Sequence, residues 1–229
     1  MRRARILIVT SVKAERDAVA SRLERGGDAA DVEVLAAGVG PAAAAAGAAT
    51  ALATAAAAGT PFALAVSAGI AGGFGQPLGG TVVASSIVAA DLGAVIPPAA
   101  GGEAPTGFVS VAELGFGTVE HRPPPALVRA VAEATGAASG PVLTVSTVTG
   151  TAGRARELAS RHPGAVAEAM EGFGVAEAAA VHGVPALELR AVSNSVGPRD
   201  RAAWRIPEAL DALGTACAAM LPVLRAWKP

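Results

Sequence analysis

Ala169-Met170-Glu171-Gly172-Phe173-Gly174, followed about twenty residues on by Arg190-Ala191-Val192-Ser193-Asn194, is the stretch on which the reading turns. Each segment sets one polar group where the surrounding pattern is that of a core. Glu171 lies in the near-apolar run 164–175, and Asn194 follows the run 184–192, which reads as a strand. A carboxylate and an amide at the rim of a sheet can grip a small polar ligand.

Outward from this pair, strand and helix patterns alternate. Residues 6–10 read as a strand, apolar on both faces as in a parallel sheet. Residues 14–25 read as a helix with Ala18, Val19 and Leu23 on one stripe. A strand at 32–37 and the turn Gly38-Val39-Gly40-Pro41 lead into an alanine helix, 42–58, stopped by Gly59-Thr60-Pro61. A strand at 62–67 is expected to end in the glycine loop Ala68-Gly69-Ile70-Ala71-Gly72-Gly73-Phe74, with another strand at 81–90. Residues 91–124 carry no period and read as a long excursion. Helix 125–135, strand 142–147, helix 153–161, strand 165–169, helix 171–182, the strand ending at Asn194 and helix 207–226 complete the order. The alternation predicts an α/β fold with helices on both faces of its sheet. No internal repeat is visible.

Composition narrows the function. The chain has 229 residues, 52% of them apolar, with net charge −1 and only 3% aromatic. It lacks the clustered Lys and Arg of a nucleic-acid surface. The single Cys217 excludes an internal disulfide and fits a reducing compartment. His121, His162 and His182 are scattered and show no metal-ligand spacing. The apolar run 6–12 is too short for an export signal. Residues 34–90 hold no charge, but they are mostly Ala and Gly and are cut by Pro41, Pro61 and Pro77, which argues against a membrane span. Gly38-Val39-Gly40-Pro41-Ala42-Ala43 only partly mimics a dinucleotide fingerprint and follows the second strand, not the first.

Glu15, the glycine loop, the segment after Ser146, Met170-Glu171 and Asn194 are all expected just past strand ends, where ligands bind in open α/β sheets. In this order they resemble the nucleoside phosphorylase and nucleosidase superfamily over nearly the whole chain. The sets Ser67-Ala68-Gly69-Ile70-Ala71-Gly72-Gly73-Phe74, Ala169-Met170-Glu171-Gly172 and Arg190-Ala191-Val192-Ser193-Asn194, with the tail from Ser195 to Trp204, resemble the futalosine hydrolase branch. The resemblance implies one domain over 1–229: a three-layer fold with a central mixed, mostly parallel twisted sheet flanked by helices. It also implies hydrolysis of a purine N-glycosidic bond. Phosphorolysis and an adenine-type nucleosidase are the alternatives.

By that resemblance Glu15 is the general base that activates water. A solvated charge at a helix start is the plain alternative. Glu171 holds the ribose hydroxyls and favours oxocarbenium character; a plain helix-terminal carboxylate would do neither. Met170 packs beneath the sugar or simply fills core, and Gly72 lets its backbone approach the substrate. Thr151, in the segment whose alignment is open, is expected at the substrate. Asn194 stands where adenine-releasing relatives carry a proton-donating Asp. An amide offers a donor and an acceptor, which suits a 6-oxopurine; closing a turn before Gly197 is the alternative.

In the glycine loop, Ser67 and Ile70 replace the Arg and the Ser or Thr that hold phosphate in phosphorylases, so water is the expected nucleophile. Arg16 is the nearest cation that could restore the charge. Glu188 and Arg190, two apart on a strand, share a face and read as a buried ion pair, with Arg190 steadying Glu171. Phe173, Phe74 or Trp204 can stack on ligand or fill core. Arg199, Arg201 or Arg205 can meet the carboxylate of the 5′ carboxyphenyl group that futalosine carries, or form an exposed basic turn. No metal or organic cofactor is implied. The expected partners are a small nucleoside and further copies of the chain, a dimer or larger, in the cytoplasm, with neither nucleic acid nor membrane.

Overall fold

Ile6 and Ile8 pack on one side of the first strand, Leu7 and Val9 on the other, and all four are buried. This strand, β1 (Arg5–Thr10), is therefore covered on both faces. It lies in a computed structural model whose described residues are 5–27, 30–96 and 107–228. Residues 97–106 of the expected excursion lie outside the described residues.

β1 is flanked in parallel by β2 (Val32–Ala36) and β3 (Phe62–Gly73). β3 is the organising strand. One side of it pairs with β1 over its first half and, antiparallel, with β9 (Ala167–Ala169) at Gly72 and Gly73. Its other side pairs in parallel with β10 (Ala186–Ser195). β10 also pairs with β4 (Thr81–Ala89), β4 with β8 (Ala138–Thr144), and β8 with β9. Strands β3, β10, β4, β8 and β9 thus close into a ring, with β1 and β2 as an extension and the short β7 (Glu120–His121) against β4. Among the described residues five pairings of this sheet are parallel and three antiparallel.

Closure of the sheet is not read from the sequence, and it corrects one expectation directly. The glycine loop at 68–74 is not a loop, because β3 continues through Gly73. Glycines inside a strand mark a bend at a barrel corner, where a side chain would obstruct the turn. The strand expected at 142–147 lies earlier, as β8. Part of the expected excursion forms a small hairpin of β5 (Gly93–Ile96) and β6 (Gly107–Ser110).

Helices cover both faces as expected. α1 (Lys13–Arg25), α3 (Pro125–Thr135) and α6 (Ile206–Ala226) pack with Ile6, Ile8, Val66, Leu187 and Leu189. α2 (Pro41–Ala57) and α5 (Gly172–Val181) pack with Leu7, Val9, Phe62 and Ala65. α4 (Ala152–Arg161) anchors through Leu158. Among the described residues α6 alone is long and apolar enough to cross a membrane, but its Leu213, Cys217, Met220, Leu221 and Leu224 sit in the core. Burial pushes the Cys217 thiol up to about 12, so its reactive thiolate is suppressed.

α2 and α5 pack closely, with Gly174 against the start of α2. A Cβ on Gly174 would lie 2.0 Å from the Pro41 carbonyl oxygen. Gly174→Ala is expected to lower unfolding free energy by about 1–3 kcal/mol, the usual cost of overpacking. Urea titration of both proteins measures it; an unchanged midpoint would show that α2 can retreat freely.

Candidate active site

Glu15 sits in the first turn of α1 and closes its N-terminus. Its Oε2 accepts from Ser11 N (2.9 Å), Ser11 Oγ (2.6 Å) and Val12 N (3.3 Å). Such a carboxylate satisfies amides that the helix leaves without partners. Its Oε1 accepts from Ile70 N at 2.8 Å, across the chain on β3. Glu15 is only 2% exposed, so it is not the solvated helix charge of the alternative reading. Oε1 carries one such bond and retains capacity for another.

Glu171 precedes α5 and is buried. Its Oε1 accepts from Gly40 N (3.2 Å), and its Oε2 from Arg190 Nη1 (3.1 Å) and Met170 N (3.3 Å). Arg190 is 1% exposed and also donates to Glu188 Oε1 (2.8 Å) and Ser67 Oγ (2.9 Å). The expected Glu188–Arg190 pair and its hold on Glu171 are both present. Alternation on β10 puts Glu188, Arg190 and Val192 opposite Leu187, Leu189 and Ala191. Arg190 lies opposite Gly69 on β3, where a Cβ would sit 2.5 Å from Nη1 and 2.8 Å from Glu15 Oε1. Gly69 is therefore small so that the guanidinium and the Glu15 carboxylate can meet over it.

Asn194 enters through an irregularity. Val192 pairs with Ala71 but Asn194 with Gly72, so Ser193 is an extra residue in β10. A bulge of this kind re-aims side chains. Here it brings Ser193 Oγ to Asn194 Oδ1 at 2.9 Å, while Asn194 Nδ2 donates to Ser195 O at 3.0 Å. One amide proton and one lone pair of Asn194 remain for a ligand.

Glu15, Gly72, Met170, Glu171 and Asn194 all line one cavity of about 350 Å³, together with Ser11, Val39, Ile70, Val148, Thr149, Glu168 and Trp204. The size suits a small ligand. A larger groove of about 730 Å³ between α2 and β2 is lined mainly by Ala and Thr and holds none of these groups. Thr151 is the expected residue that the structure places elsewhere. It is exposed, and its hydroxyl caps α4 by accepting from Arg154 N. Thr149, two residues earlier, lines the cavity instead and donates from N (2.8 Å) and Oγ1 (2.5 Å) to the buried Glu168. Neither Thr149 nor Glu168 is singled out by the sequence reading; a lone carboxylate in the alanine strand β9 was the available signal. Phe173 is core, packed with Ala71, Val142 and Val192. Phe74 packs beside a separate cluster around Leu143, and Trp204 is the aromatic at the cavity. Arg199 and Arg201 lie over the Trp204 ring at 5.6 and 5.9 Å. Among the described residues no three His, Cys, Asp or Glu side chains converge as metal ligands.

Arg190 carries the buried charge balance, and two variants expose it. Arg190→Leu leaves Glu171 and Glu188 without their cation, and is expected to cost about 3–5 kcal/mol of stability by urea unfolding. Burial raises the Glu188 carboxyl above its ordinary value of 4.5, against the opposing pull of Arg190. A raised acid favours the folded state fully below the unfolded value, and this support is lost as pH rises through the folded value. Glu188→Gln lacks that loss. Its stability relative to the parent is expected to increase as pH rises above about 4.5. Urea midpoints from pH 4 to 8 that shift in parallel would contradict it.

No family model matches the chain. Its sequence is 59% identical to futalosine hydrolase of Streptomyces coelicolor, covering 98% of each chain. It is 45% identical to futalosine hydrolase of Acidothermus cellulolyticus, over 93% of this chain and 89% of that one. Its fold resembles a Colwellia psychrerythraea methylthioadenosine/S-adenosylhomocysteine nucleosidase in complex with adenine, with TM-score 0.79, 19% identity, and 99% and 98% of the two chains covered. It also resembles futalosine hydrolase of Helicobacter pylori, with TM-score 0.70 and 18% identity over 96% and 97%. On the full-length sequence likeness, the chain belongs to the futalosine hydrolase family.

Proposed function

We propose that this chain hydrolyses the N-glycosidic bond of futalosine, releasing hypoxanthine and the dehypoxanthine product, in the alternative menaquinone pathway. The observation that carries the reading is the buried Glu15 carboxylate, tied to Ile70 N on the wall of the cavity that Glu171 and Asn194 share. In this assignment a water gives its proton to Glu15 Oε1 as its oxygen bonds C1′ and the C1′–N9 bond breaks. The bonding pair leaves with the base, which takes up a proton from solvent to become hypoxanthine, and Glu15 returns its proton to solvent. Glu171 accepts from the ribose hydroxyls and stabilises the positive charge that develops on the sugar. Met170 lies beneath the sugar, the Gly72 backbone approaches it, and Asn194 binds the departing base.

Water is favoured over phosphate by how the cavity's donors are committed. Ile70 N is held by Glu15, and Arg190 is shared by Glu171, Glu188 and Ser67. Arg16 pairs with Asp17 at 2.7 Å rather than reaching in. Phosphate would need several charge-assisted donors. Residues 1–229 act in this reading as one hydrolase domain of the nucleoside phosphorylase type, its sheet mostly parallel, working in the cytoplasm as a homo-oligomer.

The test is base release from futalosine in phosphate-free buffer, followed by chromatography. Hypoxanthine is expected without phosphate. Release only from inosine, and only after phosphate is added, would move the enzyme to the phosphorylases. Glu15→Gln is expected to lower kcat by about 100- to 10,000-fold while retaining ligand binding. Turnover near the parent's would remove Glu15 from the base role.

A further inference from the structure

Glu168 is a buried carboxylate on the cavity wall that none of the roles above uses. It lies on β9 opposite Gly72 of β3, and Gly72 lies opposite Asn194 of β10. The three residues therefore form one rung across three strands. Residues directly opposite in a sheet project to the same face. The middle position has no side chain; a Cβ there would sit 3.0 Å from Val196 Cγ2 and 3.2 Å from Asn194 Nδ2, so both side chains lean over the glycine. The amide of Asn194 thus leans across the glycine toward the side of the rung that carries the Glu168 carboxylate. Both residues line the one cavity, so a flat base held there can meet the carboxylate with one edge and the amide with another.

The free valences are complementary to one kind of base. Thr149 N and Oγ1 each occupy one acceptor site on Glu168, one per oxygen, and so fix the carboxylate in place. Both oxygens keep a further lone pair, and all of them are acceptors. Asn194 keeps one N–H after its bond to Ser195 O. A 6-oxopurine presents a donor at N1–H and acceptors at O6 and N7. A 6-aminopurine presents an acceptor at N1, which would face a carboxylate lone pair, and a donor at its 6-position.

We propose that Glu168 is a specificity-determining residue that accepts the N1–H of a 6-oxopurine while Asn194 donates to its O6 or N7 edge. This inference rests on the nucleoside-hydrolase reading above. Its chemistry is set by the Thr149 lock. Because Thr149 N holds Oε1, Glu168→Gln must keep an oxygen at that end and put its NH₂ at the other. That NH₂ can donate to Thr149 Oγ1 and present its second proton to the base. The variant therefore offers a donor where the parent offers an acceptor.

The experiment compares kcat/KM for futalosine and for its 6-amino counterpart, in parent and Glu168→Gln. The ratio of 6-oxo to 6-amino turnover is expected to fall by at least about 100-fold, the scale on which a misplaced hydrogen-bonding group discriminates. Equal losses on both substrates would reduce Glu168 to a brace for the Thr149 segment and overturn the proposal. Circular dichroism of the variant guards against misfolding. A parent-only measurement removes that dependence: inhibition by free hypoxanthine against 1-methylhypoxanthine, which lacks the N1–H. At least about 10-fold weaker inhibition by the methylated base is expected, and equal inhibition overturns the assignment. A parent enzyme that turns over neither nucleoside would defeat the hydrolase reading itself and this inference with it, a result distinct from an active parent with an unchanged ratio.

Discussion

The buried guanidinium of Arg190 is the constraint around which the rest of this site is arranged. Burying a carboxylate is costly unless an opposite charge and hydrogen bonds accompany it. Glu171 and Glu188 both bond this one cation, and Glu15 lies close enough to act on its charge. Two carboxylates against one guanidinium leave an excess of negative charge. Burial pushes the Glu188 carboxyl up while the guanidinium pulls it down, so its charged form depends on Arg190. The requirement propagates into sequence. Gly69 leaves room for Arg190, and Gly172 leaves room for Glu188, whose Oε2 would be 2.2 Å from a Cβ there.

The same cluster explains how the carboxylate proposed as the base can be held without being solvated. Glu15 is anchored at one oxygen by a helix N-terminus and at the other by a strand amide. Its position is therefore referenced to two elements at once, α1 and β3. Glu171 is likewise referenced to β10 through Arg190 and to the start of α2 through Gly40. Preorganised groups of this kind need no rearrangement when charge develops on a substrate. The bulge at Ser193 adds the Asn194 amide to the same frame.

The sequence reveals much of this, and its failures have physical causes. α3 was legible to the residue, and α2 and α6 to within one, because helix periodicity and proline or glycine stops act locally. Glu15, Glu171 and Asn194 stood out as polar groups beside apolar runs, and all three meet in one cavity. Ring closure was not legible, since it depends on pairing between strands far apart in the chain. The glycines of β3 read as a loop because their local signal is the same whether they make a turn or a bend in a strand. Thr151 is expected at the substrate but Thr149 lines the cavity, because two threonines in an irregular segment differ only in tertiary surroundings. Glu168 has only the weak signal of a carboxylate among alanines, and its role depends on Thr149 packing against it from a segment nineteen residues earlier.

β10 lies between β3 and β4, two strands that follow each other in sequence. They do not pair with each other; the last strand of the chain fills the space between them. A polypeptide emerging from the ribosome therefore holds β3 and β4 ready for some hundred residues before their shared neighbour exists. Until then both strands present unpaired edges, a template for the wrong partner. Arg190 arrives on that same strand. The counter-ion of the pocket's acidic groups therefore lies on the same strand that joins β3 to β4, so loss of that strand would open the ring and unbalance the charge at its centre together.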